Sequence, residues 1–376
     1  MNFDYSDEQR QLADSLQKYL AQQYSFEQRK AILNSASGTS DAVWTAFAEM
    51  GLTSIALPEA DGGFGGGAVD LMAAMEACGE ALVVEPLLDT VGLGGRLLSR
   101  CGSTAQRNDW LPGLINGTVK LAFAGLEPGR RYDLAPATTT ATPQGGGWVL
   151  HGAKSVVVGA PSATRLIVSA ATPATNAGGA SLFLVDPQAA GVALNPSRTV
   201  DGLRVADVAF HNVQLGADAL LGTAGAAQPA IDEAHDFATA LLCADAIGAM
   251  KSACDATLDY IKQRKQFGVA IGSFQVLQHR MVEMMICTEQ ARSLAIKAAS
   301  TVDHATDAAE RARVVSAAKV KVADAARQVS QEAVQLHGGM GMTEELKVSH
   351  TFRRLTMAGQ RFGDADHHLE RYAALT

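Results

Sequence analysis

Between residues 307 and 337 the apolar side chains recur at helical spacing. Val315, Ala318, Val322, Ala325, Val329, Ala333 and Leu336 fall on one face of a helix. The run stops at Gly338, where a helix C-cap is expected. Two further long helical stretches precede it, over 234–264 and 274–301. Long helices with apolar faces cannot bury them alone. They have to pack on one another, which predicts a bundle with apolar surface left over for contacts between subunits.

Upstream the period changes. From about Leu121 the chain breaks into short runs rich in Val, Thr and Ile, separated by Gly, Pro and Asp. The runs are 148–150, 155–158, 166–168, 181–185 and 208–210, and PATNAGGA over 173–180 reads as a loop. Short strands with closely spaced turns predict a compact β barrel or sandwich. Before residue 118 the helical period holds again. Ser6-Asp7-Glu8-Gln9 has the form of a capping box, with Leu12, Leu16, Tyr19 and Leu20 following as a stripe. More helix is expected over 41–50 and 68–82, joined through LPEADGGFGGG, 57–67, whose glycines suit a tight loop. The order is α+β, with an N-terminal helical domain over 1–118, a middle β domain over 119–225 and a C-terminal helical bundle over 226–376.

The composition excludes several classes of function. A chain of 376 residues exceeds what one core usually serves. Its net charge of -8 lacks the basic footprint of a nucleic-acid binder, so a phosphate-bearing ligand would need locally placed cations and backbone amides. Cys78, Cys101, Cys243, Cys254 and Cys287 are odd in number and form no C-x-x-C pair. Reduced thiols in a reducing compartment are expected, and no Cys/His cluster has metal-ligand spacing. The start, MNFDYSDEQRQL, has no apolar signal segment, and no apolar run of ~20 residues to span a membrane stands out. The expected location is cytoplasmic.

Four stretches together resemble the acyl-CoA dehydrogenase family. They are GLTSIALPEADGGFGGG at 51–67, Gly152-Ala153-Lys154, RKQFGVAIGSFQVLQH at 264–279 and QLHGGMGMTEE at 335–345. The stretch GDADHH at 363–368 is similar to the small subunits of two-subunit members such as pimeloyl-CoA dehydrogenase. The resemblance implies the acyl-CoA dehydrogenase fold: an N-terminal helical domain, a middle β-barrel domain and a C-terminal four-helix bundle. It implies FAD as cofactor, α,β-dehydrogenation of an acyl-CoA thioester, and an electron-transfer flavoprotein as electron acceptor. Flavin sites in the family are shared between neighbouring subunits, which implies a homotetramer or a heterotetramer with a homologous large subunit.

The residues that resemblance singles out suit a flavin dinucleotide. The Arg264 guanidinium matches a pyrophosphate bidentately. Gly338 and Gly339 leave backbone amides open to phosphate oxygens. Phe267 could pack on the adenine, while Gln275 and Gln335 could hydrogen-bond its ring or the ribose. Taken singly, Arg264 is also an ordinary charge near a helix end, and the glycine pair an ordinary C-cap with a turn.

Abstraction of the α-proton requires an oriented base. The family glutamate occurs at one of two places, and alignment puts Phe362 at one and Ala238 and Thr239 at the other. Asp245 lies seven residues after Ala238, on roughly the same helix face about two turns on, and is the candidate catalytic residue within this chain. The family's "TEP..GSD" segment reads Leu126-Glu127-Pro128-Gly129-Arg130-Arg131-Tyr132-Asp133, and its "W-[IV]-T" reads Val156-Val157-Val158. The threonines that touch the flavin ring in the family are absent. Three readings follow: Asp245 serves as base, a large subunit supplies the glutamate, or the chemistry differs, as in desulfinase-like members. A structural subunit with silent sites is the non-enzymatic alternative.

Overall fold

The computed structural model describes residues 6–172 and 179–375, so most of the loop expected at 173–180 lies outside the described residues. The helices, numbered in chain order, are α1 (Asp7–Gln23), α2 (Phe26–Asn34), α3 (Asp41–Glu49), α4 (Ala68–Ala81), α5 (Arg96–Cys101), α6 (Thr104–Ile115), α7 (Gln228–Gln263), α8 (Gln275–His304), α9 (Ala308–His337), α10 (Lys347–Gln360) and α11 (Ala365–Ala374). The chain divides into two compact units. The first comprises 1–31, 68–83 and 239–376, and the second 32–67 and 84–238.

In the first unit the local rules act as expected. Ser6 Oγ accepts from the Gln9 amide at 3.2 Å while Gln9 Oε1 accepts from the Ser6 amide at 2.9 Å, and this box starts α1. The α9 stripe from Val315 to Leu336 is buried throughout, and Gly338 caps the helix. Lys319, in the midst of that stripe, is equally buried. Its Nζ donates to the carbonyls of Gly359 at 3.2 Å and Gly363 at 2.8 Å, at the end of α10 and in the link to α11. Burial lowers its pKa to about 8, against the pull of Cys243 and Asp364. Phe362 in the same link has φ 62. Its carbonyl pairs with His368 Nε2 at 3.0 Å, and His368 Nδ1 pairs with Ser316 Oγ at 3.1 Å.

Helix α4 is largely enclosed, with nine of its 14 residues buried, and an enclosed helix needs its end groups satisfied. Asp303 of α8 accepts from the amides of Ala68 at 2.7 Å and Val69 at 3.0 Å. At the other end Lys347 donates to Glu80 O at 2.6 Å, Arg29 to Leu82 O at 2.6 Å, and Arg354 to Val83 O. An anion thus sits at the amino end and three cations at the carboxyl end, the order the helix dipole favours. Arg29 also donates to His350 Nδ1 at 3.0 Å, a bond that requires an unprotonated acceptor. Burial first, then Arg353 and Arg29, hold His350 below the ordinary histidine pKa.

One feature of α7 departs from expectation: it is long and apolar enough to cross a membrane by length and composition. Within the fold 89% of its most apolar stretch is buried, so that surface is spent on packing. It crosses α4 through two glycines. A Cβ on Gly79 would stand 1.9 Å from the Asp245 carbonyl oxygen, and one on Gly248 would stand 1.9 Å from that of Glu76.

The second unit holds an eight-stranded sheet. Its strands are β1 (Leu121–Ala124), β2 (Thr140–Gln144), β3 (Gly147–Val158), β4 (Arg165–Ala171), β5 (Ala180–Val185), β6 (Val192–Arg198), β7 (Arg204–Leu215) and β8 (Leu220–Leu221). The order is β6-β7-β3-β2-β4-β5-β8, with β1 parallel to β4. Leu150, Val168, Phe183, Val208 and Phe210 form the inner core, and Leu194 and Leu220 from the two end strands pack on it. The sheet therefore curls round a single core, as the expected barrel does. The predicted strands at 148–150 and 155–158 are one strand, β3, broken by register shifts after Leu150 and after Lys154.

The α4–α7 crossing gives a direct test. Gly79→Ala or Gly248→Ala forces two backbones apart and should destabilise by about 1–3 kcal/mol. A denaturation midpoint equal to that of the unsubstituted chain would show that the helices do not cross this closely.

Candidate active site

The six residues proposed for a dinucleotide converge at one end of the first unit. Strands β9 (Lys265–Gln266) and β10 (Val269–Ala270) pair antiparallel, leaving Phe267-Gly268 as the turn. Their φ angles, 53 and 81, are both positive, as a type I′ turn requires. Glycine adopts that freely; a bulky residue does so at a cost. The Phe267 ring is nevertheless 91% exposed, with its centroid 6.2 Å from that of Phe274.

Arg264 stands between α7 and this hairpin, its side chain exposed and its carbonyl accepting from Ile271 at 2.8 Å. One turn earlier, the Tyr260 ring stacks on His337 at 4.4 Å. That stack brings the end of α7 to the end of α9, where Gly338 begins. Helices α8 and α9 run antiparallel, as Arg280–Glu332 at 2.5 Å and Lys321–Gln290 at 2.7 Å record. Their register carries Gln275, the first residue of α8, to the same end as Gln335 and Gly338. Gly338 has φ 61 and ψ -146, a conformation open only to glycine. A Cβ on Gly338 or Gly339 would meet nothing within 4 Å, so the backbone here faces open space. Around this end Val276, Val282, Ile286, Met340 and Met342 are exposed.

In the second unit the two segments that depart from the family pattern lie side by side. Glu127 and Lys154, both buried, form an ion pair at 3.2 Å. The Glu127 carboxylate also accepts from the amides of Ala137, Thr138 and Thr139 at 3.1, 2.8 and 2.9 Å. Lys154 Nζ donates to Gly125 O and Ser169 Oγ, each at 3.0 Å. One carboxylate thereby ties both ends of the loop 125–139 together. Burial alone would raise the Glu127 pKa, but the amides of Thr138 and Thr139, Lys154 and the Ala137 amide outweigh it and hold it at about 2. Burial lowers Lys154 to about 8 against the opposing pull of Glu127.

The Ser155 amide donates to Leu126 O at 2.9 Å, which joins β3 to the base of this loop. The next residue, Val156, sits in the bulge with φ 52 and its side chain 49% exposed. A β-branched residue in the left-handed region is a genuine outlier. The amide of Val156 is held by Asp207 Oδ1 at 2.9 Å. Sequence reasoning flagged the segment through its missing threonine; the conformation had no signal in the residue types.

Neither family position for the base carries a titratable group: Ala238 and Thr239 are fully buried, and Phe362 is half-buried in the link held by Lys319 and His368. Asp245 is buried, with Oδ2 4.0 Å from Arg354 Nη1. That pair joins α7 to α10. Among the described residues, no group of three or more His, Cys, Asp or Glu side chains is placed to hold a metal ion.

The family descriptions "Acyl-CoA dehydrogenase, N-terminal domain", "middle domain" and "C-terminal domain" match residues 6–118, 122–214 and 229–374 in order. The chain belongs to the acyl-CoA dehydrogenase family. It is 31% identical over 316 residues to the acyl-CoA dehydrogenase FadE12 of Mycobacterium tuberculosis, covering 82% of this chain and 80% of the relative. Among solved structures, the Tcur3481-Tcur3483 steroid ACAD superposes with a TM-score of 0.88 at 29% identity, covering 98% of this chain and 97% of that one. The FAD complex of PigA superposes with a TM-score of 0.90 at 25% identity, covering 100% and 98%.

For this acyl-CoA dehydrogenase the buried pair in the middle domain is directly testable. Glu127→Gln leaves an ammonium buried without its counter-ion and should cost about 3–5 kcal/mol of stability. Because the folded-state pKa lies below the ordinary 4.5, the stability Glu127 contributes is complete above pH 4.5 and is lost as pH falls toward about 2. Equal acid sensitivity in the Glu127→Gln variant and the parent chain would remove Glu127 as a source of that dependence.

Proposed function

We propose that this chain works as an FAD-dependent acyl-CoA dehydrogenase, as one subunit type of a mixed tetramer in the cytoplasm. The observation that carries the cofactor reading is the convergence of Arg264, Phe267, Gln275, Gln335, Gly338 and Gly339 on one exposed end of the first unit. The open backbone at Gly338-Gly339 fits a phosphate group, since no Cβ stands in the way. Arg264 would hold the pyrophosphate, Phe267 would pack on the adenine, and the two glutamines would bond its ring or the ribose. The flavin, when bound, supplies the hydride acceptor for the β-carbon.

The assembly reading rests on the apolar surface beside those residues. Phe267, Val276, Val282, Ile286, Met340 and Met342 are large, exposed and adjacent along the hairpin, the start of α8 and the turn after α9. A patch of this kind marks a contact surface. Its proposed occupant is a homologous chain, because the patch adjoins residues whose family role is to complete a neighbour's flavin site.

That neighbour is also the proposed source of the base. Ala238, Thr239 and Phe362 cannot take a proton, and Asp245 is engaged near Arg354. Asp245 as an internal base is the second reading, supported by its burial on α7. Electrons would leave to an electron-transfer flavoprotein. Likeness to a steroid ACAD supports a bulky acyl group, and small-subunit resemblance supports a dicarboxylic one.

Arg264→Ala should release FAD, read as loss of visible absorbance after gel filtration; full flavin retention refutes the role of Arg264. An anaerobic visible spectrum of the chain alone, titrated with a panel of acyl-CoAs, separates the two sources of base. Flavin that stays oxidised alone and bleaches once a homologous subunit is added supports the mixed assembly. Bleaching by the chain alone, abolished in Asp245→Asn with flavin still bound, would transfer the role to Asp245.

A further inference from the structure

The loop 125–139 is anchored far more firmly than a surface loop needs to be, since Glu127 binds its two ends and Lys154 joins it to β3 and β4. Its tip carries two consecutive arginines, Arg130 and Arg131, followed by Tyr132. Arg131 lies in the left-handed region with φ 51. Gly129, two residues earlier, takes φ 77 at no cost, but arginine at such a position is held against its backbone preference. Residues kept in such conformations by a rigid surrounding point to a task for the side chain.

The side chains are set for an anion. The Arg131 guanidinium lies over the Tyr132 ring, 5.8 Å from its centroid, a cation–π contact. Guanidinium is the side chain whose in-plane N–H fork matches an oxyanion bidentately. Arg130 is paired with Asp133, and its buried Nε has no hydrogen-bond partner among the described residues. With Asp133 answering Arg130, the tip keeps one net positive charge in a chain whose net charge is -8, where an anionic ligand depends on local cations. A coenzyme A thioester is such a ligand.

We propose that Arg131, supported by Arg130, recognises an oxyanion carried by the acyl-CoA thioester. This inference rests on the acyl-CoA reading above. Two sources present the same chemistry: a nucleotide phosphate of the coenzyme, or a carboxylate on the acyl chain. In either case the arginine acts in binding and specificity, away from any proton transfer.

Arg131→Gly is the variant of choice, because glycine accepts the left-handed backbone and removes only the side chain. The full chain and the variant are titrated calorimetrically with hexanoyl-CoA, hexanoyl-pantetheine and hexanedioyl-pantetheine. A phosphate contact predicts that the variant binds hexanoyl-CoA about tenfold or more weakly, with hexanoyl-pantetheine unaffected. A carboxylate contact predicts the same loss for hexanedioyl-pantetheine alone. Arg131→Lys should recover part of the affinity as a point charge without the fork. Equal affinities for all three esters in variant and parent, an equal loss for all three, or no binding of any of them by the parent, overturns the proposal. Flavin content read from the same samples reports on the cofactor reading separately: a flavin-free chain that still distinguishes the esters through Arg131 would leave this inference standing while the cofactor reading fell.

Discussion

Four cations almost wholly out of water end on main-chain carbonyls. Arg29 reaches Leu82, Lys154 reaches Gly125, Lys319 reaches Gly359 and Gly363, and Arg354 reaches Val83. Each carbonyl lies where a regular element ends and its backbone bonding would otherwise lapse. A buried cation is costly to desolvate, and a buried carbonyl without a donor is costly to leave. Meeting one cost with the other fixes both groups, and it fixes them with the directionality that apolar packing lacks. The ends of α4, the link from α10 to α11 and the base of the 125–139 loop are all defined in this way. Shortening any of these cations takes a donor from a carbonyl at the end of a regular element.

The middle-domain pair shows what such fixing is for. Apolar residues of equal volume could replace a buried ion pair with little loss of stability. They could not gather three consecutive amides, a strand and a bulge around one point, as Glu127 does. The pair therefore specifies shape more than it supplies stability. The shape includes Val156 and Arg131, two side-chain-bearing residues in the left-handed region on neighbouring segments. Strain of this kind persists only where the surroundings over-determine it.

What the sequence made legible was what is local. The Ser6–Gln9 box, the α9 stripe and the stop at Gly338 each follow from a few adjacent residues, and each stands where expected. The Arg264 to Gly339 set was legible only through resemblance, since the stack of Tyr260 on His337 that unites it depends on helix packing. β6 escaped notice because its residues are mostly exposed and include Pro196, so its alternation carries no apolar signal. The role of Lys319, within the apolar face of α9, had no local signal, because its carbonyl partners lie some 40 residues downstream. Helix geometry put Asp245 on the face of Ala238, but the guanidinium facing it comes from α10. The apolar character of α7 is ambiguous in one dimension: the same composition serves a membrane span or a core, and only burial decides.

The exposed hairpin and the start of α8 have a consequence for any copy of the chain whose apolar surface is left uncovered. A phenylalanine at a turn tip with valines, methionines and an isoleucine in the open is adhesive to any apolar surface, including a second misplaced copy. Surplus copies of such a chain are natural clients for chaperones and proteases. Its steady-state abundance would then track the supply of whatever covers that surface.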